Sequence, residues 1–156
     1  MKPIKPFTQS WISGIIPPCA EESVEIMIKK PVTITLWSQR EGEEPVALTA
    51  AGTLEERPDG SLLLQYQNED KEQNTIMVGS GRVTVERHGE ICYQMVFEMG
   101  QRHRGPYQTP YGTMEMTVVT HSLENAMVDG GALSVAYHLV FGGVETEQTQ
   151  LRLMVQ

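Results

Sequence analysis

Residues 107–120, Y-Q-T-P-Y-G-T-M-E-M-T-V-V-T, decide the fold of this chain. Pro110 fixes its own φ and pushes Thr109 towards an extended conformation, whereas Gly112 permits a positive φ. A stiff turn at residues 109–112 therefore runs straight into a strand in which apolar and polar side chains alternate. The segment predicts a rigid corner that is followed by a β-strand.

The same period-two alternation runs through the rest of the chain after residue 28. It predicts strands near residues 32–37, 46–55, 62–66, 75–78, 82–87, 91–99, 114–119, 133–141 and 151–155, with a bulge or bend at Gly52. Residues 100–112 are interpreted as a loop, and residues 122–129 as the one candidate for a helical turn. Successive strands with short connections favour an all-β, antiparallel, up-and-down closed barrel of about eight strands, with a two-sheet sandwich as the alternative.

The first 28 residues form an extension, and residues 29–156 form the barrel domain. The extension begins with an irregular, proline-rich part that carries Trp11 and several isoleucines. We expect these side chains to pack on the barrel exterior or on a second subunit. Val24, Ile26 and Ile28 alternate and predict a short extra strand.

Composition limits the classes of partner. The 156 residues carry a net charge of −8, which disfavours binding to nucleic acid and to anionic membrane surfaces. Cys19 and Cys92 form neither a C-x-x-C motif nor a disulfide framework, so reduced thiols and a cytoplasmic protein are expected.

No catalytic or metal-binding pattern is present in the sequence. His88, His103, His121 and His138 lie at no metal-ligand spacing and are interpreted as surface or turn residues. A G-x-S-x-G motif and a phosphate-binding glycine loop are both absent from the sequence. We therefore expect no catalytic residue, no metal, no cofactor and no enzymatic activity.

Several short motifs carry a family resemblance. They are V-T-I-T-L, G-R-V-T-V-E-R-H-G, F-E-M-G, the segment 107–120, G-G-A-L-S-V-A-Y-H-L and L-R-L. In this order they resemble the YwiB-like family of small bacterial proteins, a domain of unknown function related to the calycins, over roughly residues 30–155. The resemblance implies a lipocalin-like β-barrel of about eight strands and no established activity.

A ligand site is predicted inside the barrel. Tyr66, Tyr93 and Tyr137 share the inward parity of their strands, and Arg87 shares that of Val83 and Val85. A cluster of methionines is expected on inward faces: Met95, Met99, Met114 and Met116. The predicted ligand-binding residues, some of them from the 100–112 loop at one rim, are Arg87, Arg104, Tyr107, Tyr111 and Tyr137.

Two functions follow from this pattern. Phenols and a guanidinium at the end of an apolar interior suit a small amphipathic molecule. The alternative is an interaction or structural barrel whose tyrosines fill the core, because an eight-stranded barrel is either just filled or just hollow. An interior volume of roughly 300 Å³ or more would favour the first function. A homodimer is compatible with either.

Overall fold

The structure is a computed structural model that describes residues 29–127 and 130–156. Its strands are β1 Lys29–Arg40, β2 Val46–Glu56, β3 Leu62–Gln67, β4 Gln73–Val78, β5 Val83–His88, β6 Cys92–Phe97, β7 Arg102–Thr109, β8 Gly112–Asn125, β9 Leu133–Phe141, β10 Val144–Glu145 and β11 Thr149–Val155. Within the described ranges no helix is long and apolar enough to cross a membrane.

The strands form one antiparallel sheet that closes on itself. Strands β1 to β9 pair in chain order, β9 pairs with β11, and β11 pairs with β1. The two-residue strand β10 pairs with the end of β9, on the same side of β9 as β11. The predicted up-and-down barrel is therefore confirmed, with ten strands in the closed circuit rather than about eight.

Alternation along each strand places the core inside the barrel. At one end, which we call the apolar end, Val78, Val83, Phe97 and Leu133 are almost fully buried. At the other end lie the connections between β3 and β4, between β5 and β6, and between β7 and β8. We call it the tyrosine end because Tyr66, Tyr93 and Tyr107 lie next to these connections.

The prediction of a loop at residues 100–112 is wrong for most of that segment. Residues 102–109 form β7, which pairs with β8 along its whole length. Pro106 is tolerated inside a strand because β7 pairs with β6 only at Gln108 and Tyr107, so Pro106 lies beyond that ladder. Residues 122–125, predicted as the start of a helical turn, continue β8 instead.

The predicted turn at residues 109–112 is present, and hydrogen bonds of the Thr109 side chain close it. The Thr109 hydroxyl donates a hydrogen bond to the Gly112 carbonyl at 3.0 Å and accepts one from the Tyr111 amide at 3.1 Å. Gly112 has a φ of +137°, as expected for a residue without a Cβ.

Strand β2 is paired on both edges along only half of its length. Its pairing with β1 covers residues 46–55, but its pairing with β3 begins at Gly52. A Cβ on Gly52 would collide with the Gln65 carbonyl and with Ile34, so close approach between strands, rather than a bulge, requires glycine there. Among the described residues, positions 46–51 thus leave one strand edge without a partner. The predicted packing of Trp11 and the predicted strand at residues 24–28 concern residues outside the described ranges.

Candidate ligand-binding site

The site is built on three neighbouring strands at the tyrosine end. Asn74 on β4 pairs in register with Arg87 on β5, which pairs with Tyr93 on β6. Tyr66 on β3 is the other register partner of Asn74. Because directly opposite residues share a face, all four side chains point inward. The predicted inward orientation of Tyr66 and Tyr93 is confirmed, and the Tyr137 ring lies 4.9 Å from the Phe97 ring, also inside.

A cavity of about 140 Å³ lies inside the barrel below these tyrosines. Its wall and floor are aliphatic apart from Met95 and Phe97, and its polar atoms come from the three phenols and one amide. The residues that line it are Leu36, Tyr66, Asn74, Ile76, Val83, Val85, Tyr93, Met95, Phe97, Leu133, Tyr137, Leu151 and Leu153. The arrangement is an apolar pocket with a polar rim.

The three phenols of this rim are neutral hydrogen-bond donors. Burial raises the pKa of Tyr66 to about 12 and the pKa of Tyr137 to about 12, and burial also raises the pKa of Tyr93. No hydrogen bond from the described part of the chain contributes to the pKa of Tyr66 or of Tyr137. A buried phenol ordinarily finds a partner, so these two hydroxyls are available to a bound group.

Arg87 is held by a carboxylate and is not a free cation. Its Nε donates to Glu72 Oε1 at 3.1 Å, and its Nη2 donates to the same oxygen. Glu72 Oε1 also accepts from Asn68 at 3.0 Å, and Oε2 accepts from the Glu90 amide at 3.0 Å. The Asn68 hydrogen bond, followed by that from Arg87, lowers the pKa of Glu72 to about 2. Glu72 therefore joins the β3–β4 connection to Arg87 on β5 and, through the Glu90 amide, to the β5–β6 connection, and the balanced charges leave the rim nearly neutral.

Tyr107 packs against the rim residue Tyr93. Its ring stacks on Tyr93 at a centroid distance of 5.7 Å and an interplanar angle of 9°, and it meets the edge of Phe141 at 5.3 Å. It does not line the cavity. Of the predicted site residues, Tyr137 lines the cavity, and Arg87 and Tyr107 each contact or flank Tyr93.

Arg104 and Tyr111, which were predicted at one rim of the barrel, do not line the cavity. Arg104 has the opposite parity to Tyr107 on β7 and forms an exposed ion pair with Glu115 at 3.5 Å. Tyr111 is 99% exposed at the hairpin tip. Among the methionines, Met99 and Met114 are exposed, whereas Met116 is fully buried and Met95 lines the cavity.

The structure brings together two histidines that the sequence analysis treated separately. His121 Nε2 and His138 Nδ1 are 2.7 Å apart on the outer wall of the barrel. They are 17 positions apart in the chain, and only the register of β8 against β9 relates them. The available signal was that His138 lies on a predicted strand and that His121 lies two positions beyond the end of the preceding predicted strand.

Fold and site together define a class of protein: a small antiparallel β-barrel with a narrow, tyrosine-rimmed interior cavity. A family model described as Domain of unknown function (DUF1934) matches residues 32–153, and the chain belongs to that family. Among solved structures, the barrel is similar to the crystal structure of ywiB protein from Bacillus subtilis. The TM-score is 0.62 at 16% sequence identity, over 82% of this chain and 93% of that one.

The predicted resemblance to the YwiB-like family is thereby confirmed, and at this identity the structural match shows the fold alone. A comparison with curated proteins finds no match.

Proposed function

We propose that this protein is a non-enzymatic, cytoplasmic binding barrel for a small, mainly apolar molecule that carries one hydrogen-bonding group. The observation that supports it is the interior cavity with an aliphatic floor and a rim of three neutral phenols. Small-molecule sites generally combine apolar walls with a few convergent polar groups. The ligand-binding barrels of the calycin type, which the sequence resembles, place their ligands in the same part of the fold.

The cavity volume limits the size of the ligand. The cavity is about 140 Å³, below the roughly 300 Å³ that was expected to favour a small-molecule site. That expectation is not met for a drug-sized ligand, so only a much smaller molecule fits. An apolar cavity of about 150 Å³ in another protein holds a benzene molecule. The ligand class is therefore a single substituted ring or a short branched chain, and long-chain fatty acids, flavins and tetrapyrroles are too large.

The rim selects the polar group of the ligand. Tyr66 and Tyr137 offer hydroxyls that are protonated at neutral pH, and burial, which raises both pKa values from 10 to about 12, favours the protonated form further. The charge of Arg87 is already balanced by Glu72. A neutral hydroxyl or carbonyl oxygen fits this rim better than a carboxylate does, because a carboxylate would be buried without a free cation.

The test is a thermal-shift and calorimetric titration of the full chain with phenol, 4-methylphenol, cyclohexanone, butyrate and hexadecanoate. The proposal predicts stabilisation by the ring compounds and none by butyrate, because of its carboxylate, or by hexadecanoate, because of its size. A ligand at a hundred times its dissociation constant adds about 2.7 kcal/mol to the free energy of unfolding.

Two variants locate the binding. Tyr137→Phe removes one rim hydroxyl and should weaken the binding of 4-methylphenol but not of toluene, because toluene forms no hydrogen bond. Val85→Phe places a ring in the cavity and should abolish both. Stabilisation by hexadecanoate, or ring binding that Val85→Phe leaves intact, would count against the proposal.

The second candidate function is an interaction barrel that pairs with a second copy of the chain. The unpartnered edge of β2 at residues 46–51, V-A-L-T-A-A, favours it. An exposed strand edge is a template for pairing unless charges or proline protect it, and this one has neither. The groove beside the edge has a volume of about 660 Å³ and contains Gln65, Gln67, Asn68, Glu69 and Lys71 on its far side.

Light scattering after size exclusion distinguishes this candidate. Edge pairing predicts a dimer that Ala51→Lys converts to a monomer, while Gln101→Lys, in the connection between β6 and β7, leaves it unchanged. If the protein is a monomer at all concentrations and binds the ring compounds, the edge-pairing function is excluded and the ligand-binding function is supported.

A further inference from the structure

We propose that His121 and His138 form a binding site for a divalent transition-metal ion such as Zn²⁺ on the outer wall of the barrel. This inference does not depend on the interior cavity. It starts from an irregularity in the longest strand. Thr120 pairs with Tyr137 and Ser122 pairs with Ala136, so one residue of β8 has no opposite partner.

That extra residue is His121. A bulge redirects the side chain of its unpaired residue, and bulges occur at functional positions more often than elsewhere in sheets. Here the bulge brings the imidazole of His121 over that of His138. The ring centroids are 4.9 Å apart with an interplanar angle of 24°.

One nitrogen of each ring already points at a common position. The Nε2 atom of His121 lies 2.7 Å from the Nδ1 atom of His138. Two bonds of about 2.1 Å from a tetrahedral Zn²⁺ place their nitrogens about 3.4 Å apart. The rings therefore need to separate by roughly 0.7 Å. Since His121 is exposed, its side chain has room for this movement.

The second nitrogen of His138 supports the same assignment. His138 Nε2 is buried and has no hydrogen-bond partner, and the nearest carboxylate oxygen, Glu145 Oε1, is 3.8 Å away. Metal-binding histidines commonly donate their other N–H to a carboxylate, which fixes the tautomer. When the proton of His138 is on Nε2, its Nδ1 atom has a lone pair for the ion. When the proton of His121 is on Nδ1, its Nε2 atom has a lone pair for the same ion. Each ring keeps one proton.

The chemistry of the donors selects the ion. Imidazole nitrogen suits Zn²⁺, Cu²⁺ and Ni²⁺, whereas Mg²⁺ and Ca²⁺ require oxygen ligands. The described part of the chain offers no group of three or more ligating side chains. Water therefore completes the coordination, and the site is an exchangeable one with an open face.

The experiment is calorimetric titration of the full chain with ZnCl₂ at pH 7.5. The proposal predicts one site, and a loss of affinity of at least tenfold in His121→Gln and in His138→Gln. Glu145→Gln should weaken binding by about 10- to 100-fold. His103→Gln is the matched control, because His103 lies alone beside Glu98 at 3.0 Å, and it should bind Zn²⁺ as the unchanged chain does.

Long-range ¹H–¹⁵N spectra of the imidazoles provide a second measurement. On addition of Zn²⁺ the shifted nitrogens should be Nε2 of His121 and Nδ1 of His138. Unchanged affinity in both His121→Gln and His138→Gln would overturn the proposal, and so would the absence of binding up to about 1 mM ZnCl₂. Binding lost in His88→Gln, whose ring lies 3.9 Å from the Cys92 sulfur, would also overturn it.

Discussion

The two ends of this barrel use opposite means to hold the same strands together. At the apolar end the interior is filled by side chains such as Val83, Phe97 and Leu133, each at most 2% exposed. At the tyrosine end the Glu72 carboxylate joins its connection to Arg87 on β5 and to the Glu90 amide in the next connection, and phenols project over a small cavity. The comparison indicates that stability is concentrated at one end, which leaves the other free to carry polar groups without full internal partners.

The largest expected effect comes from the apolar end. Phe97→Ala removes a fully buried ring that packs against Tyr137 and forms part of the cavity floor. It should lower the free energy of unfolding by about 3–5 kcal/mol, because the lost burial and the enlarged cavity add. Urea denaturation followed by fluorescence measures this. A loss below about 1 kcal/mol would show that the two ends do not differ as described.

A smaller effect is expected at the turn between β7 and β8. Gly112→Ala should cost on the order of 1 kcal/mol or more, because alanine is strained at a φ of +137°. Gly105→Ala in the same hairpin is the matched control. A Cβ there meets nothing closer than 3.8 Å, and its φ is not in the positive region. Equal melting temperatures for the two variants would contradict a rigid corner at Gly112.

The ion pair between Glu72 and Arg87 should make the free energy of unfolding depend on pH. The carboxylate has a folded pKa of about 2, below the ordinary 4.5, so the folded state favours its charged form. Its contribution is therefore complete above about pH 4.5 and is lost as the pH falls towards 2. Glu72→Gln should flatten the stability curve in this window. Glu56→Gln, on an exposed residue, is the control, and an equal effect from both variants would remove the special role of Glu72.

The smallest effect is expected for the rim hydroxyls. Tyr137→Phe should change the free energy of unfolding by no more than about 0.5 kcal/mol, because the hydroxyl has no partner in the described chain to lose. Chemical denaturation beside Phe97→Ala tests the contrast directly. A loss above about 2 kcal/mol would mean that Tyr137 belongs to the structural core, which is the filled-barrel alternative.

Periodicity explains what the sequence could predict. Tyr66, Tyr93 and Tyr137 were placed inside because side chains two positions apart share one face of a strand. Strand β7 was missed because Gly105 and Pro106 normally interrupt strands. Here they lie where β7 is paired mainly on one edge, so a missing N–H costs little. Once β7 is recognised as a strand, the alternation of side chains is enough to place Arg104 and Tyr107 on opposite faces of the sheet.

Contacts between side chains of different strands could not be predicted from the sequence. The approach of His121 to His138 depends on a bulge, and a bulge changes the register at a position that alternation does not reveal. The ion pair between Glu72 and Arg87 depends on how the β3–β4 connection folds against β5, and that connection carries no distinctive motif. The interior volume depends on how thirteen lining side chains pack in the space enclosed by ten strands, and amino-acid composition does not determine that packing.

The seam of the barrel has a consequence for biosynthesis. Ile34 on β1 pairs with Val155 on β11, so the circuit joins strands from opposite ends of the domain. Until β11 leaves the ribosome, a nascent chain can form the meander from β1 to β9 but cannot close the barrel. The outer edges of β1 and β9 are unpaired during this time. Pairings so distant in sequence form slowly and expose aggregation-prone surface in the meantime. We therefore expect a pause in translation before the last strand to lower the yield of folded protein.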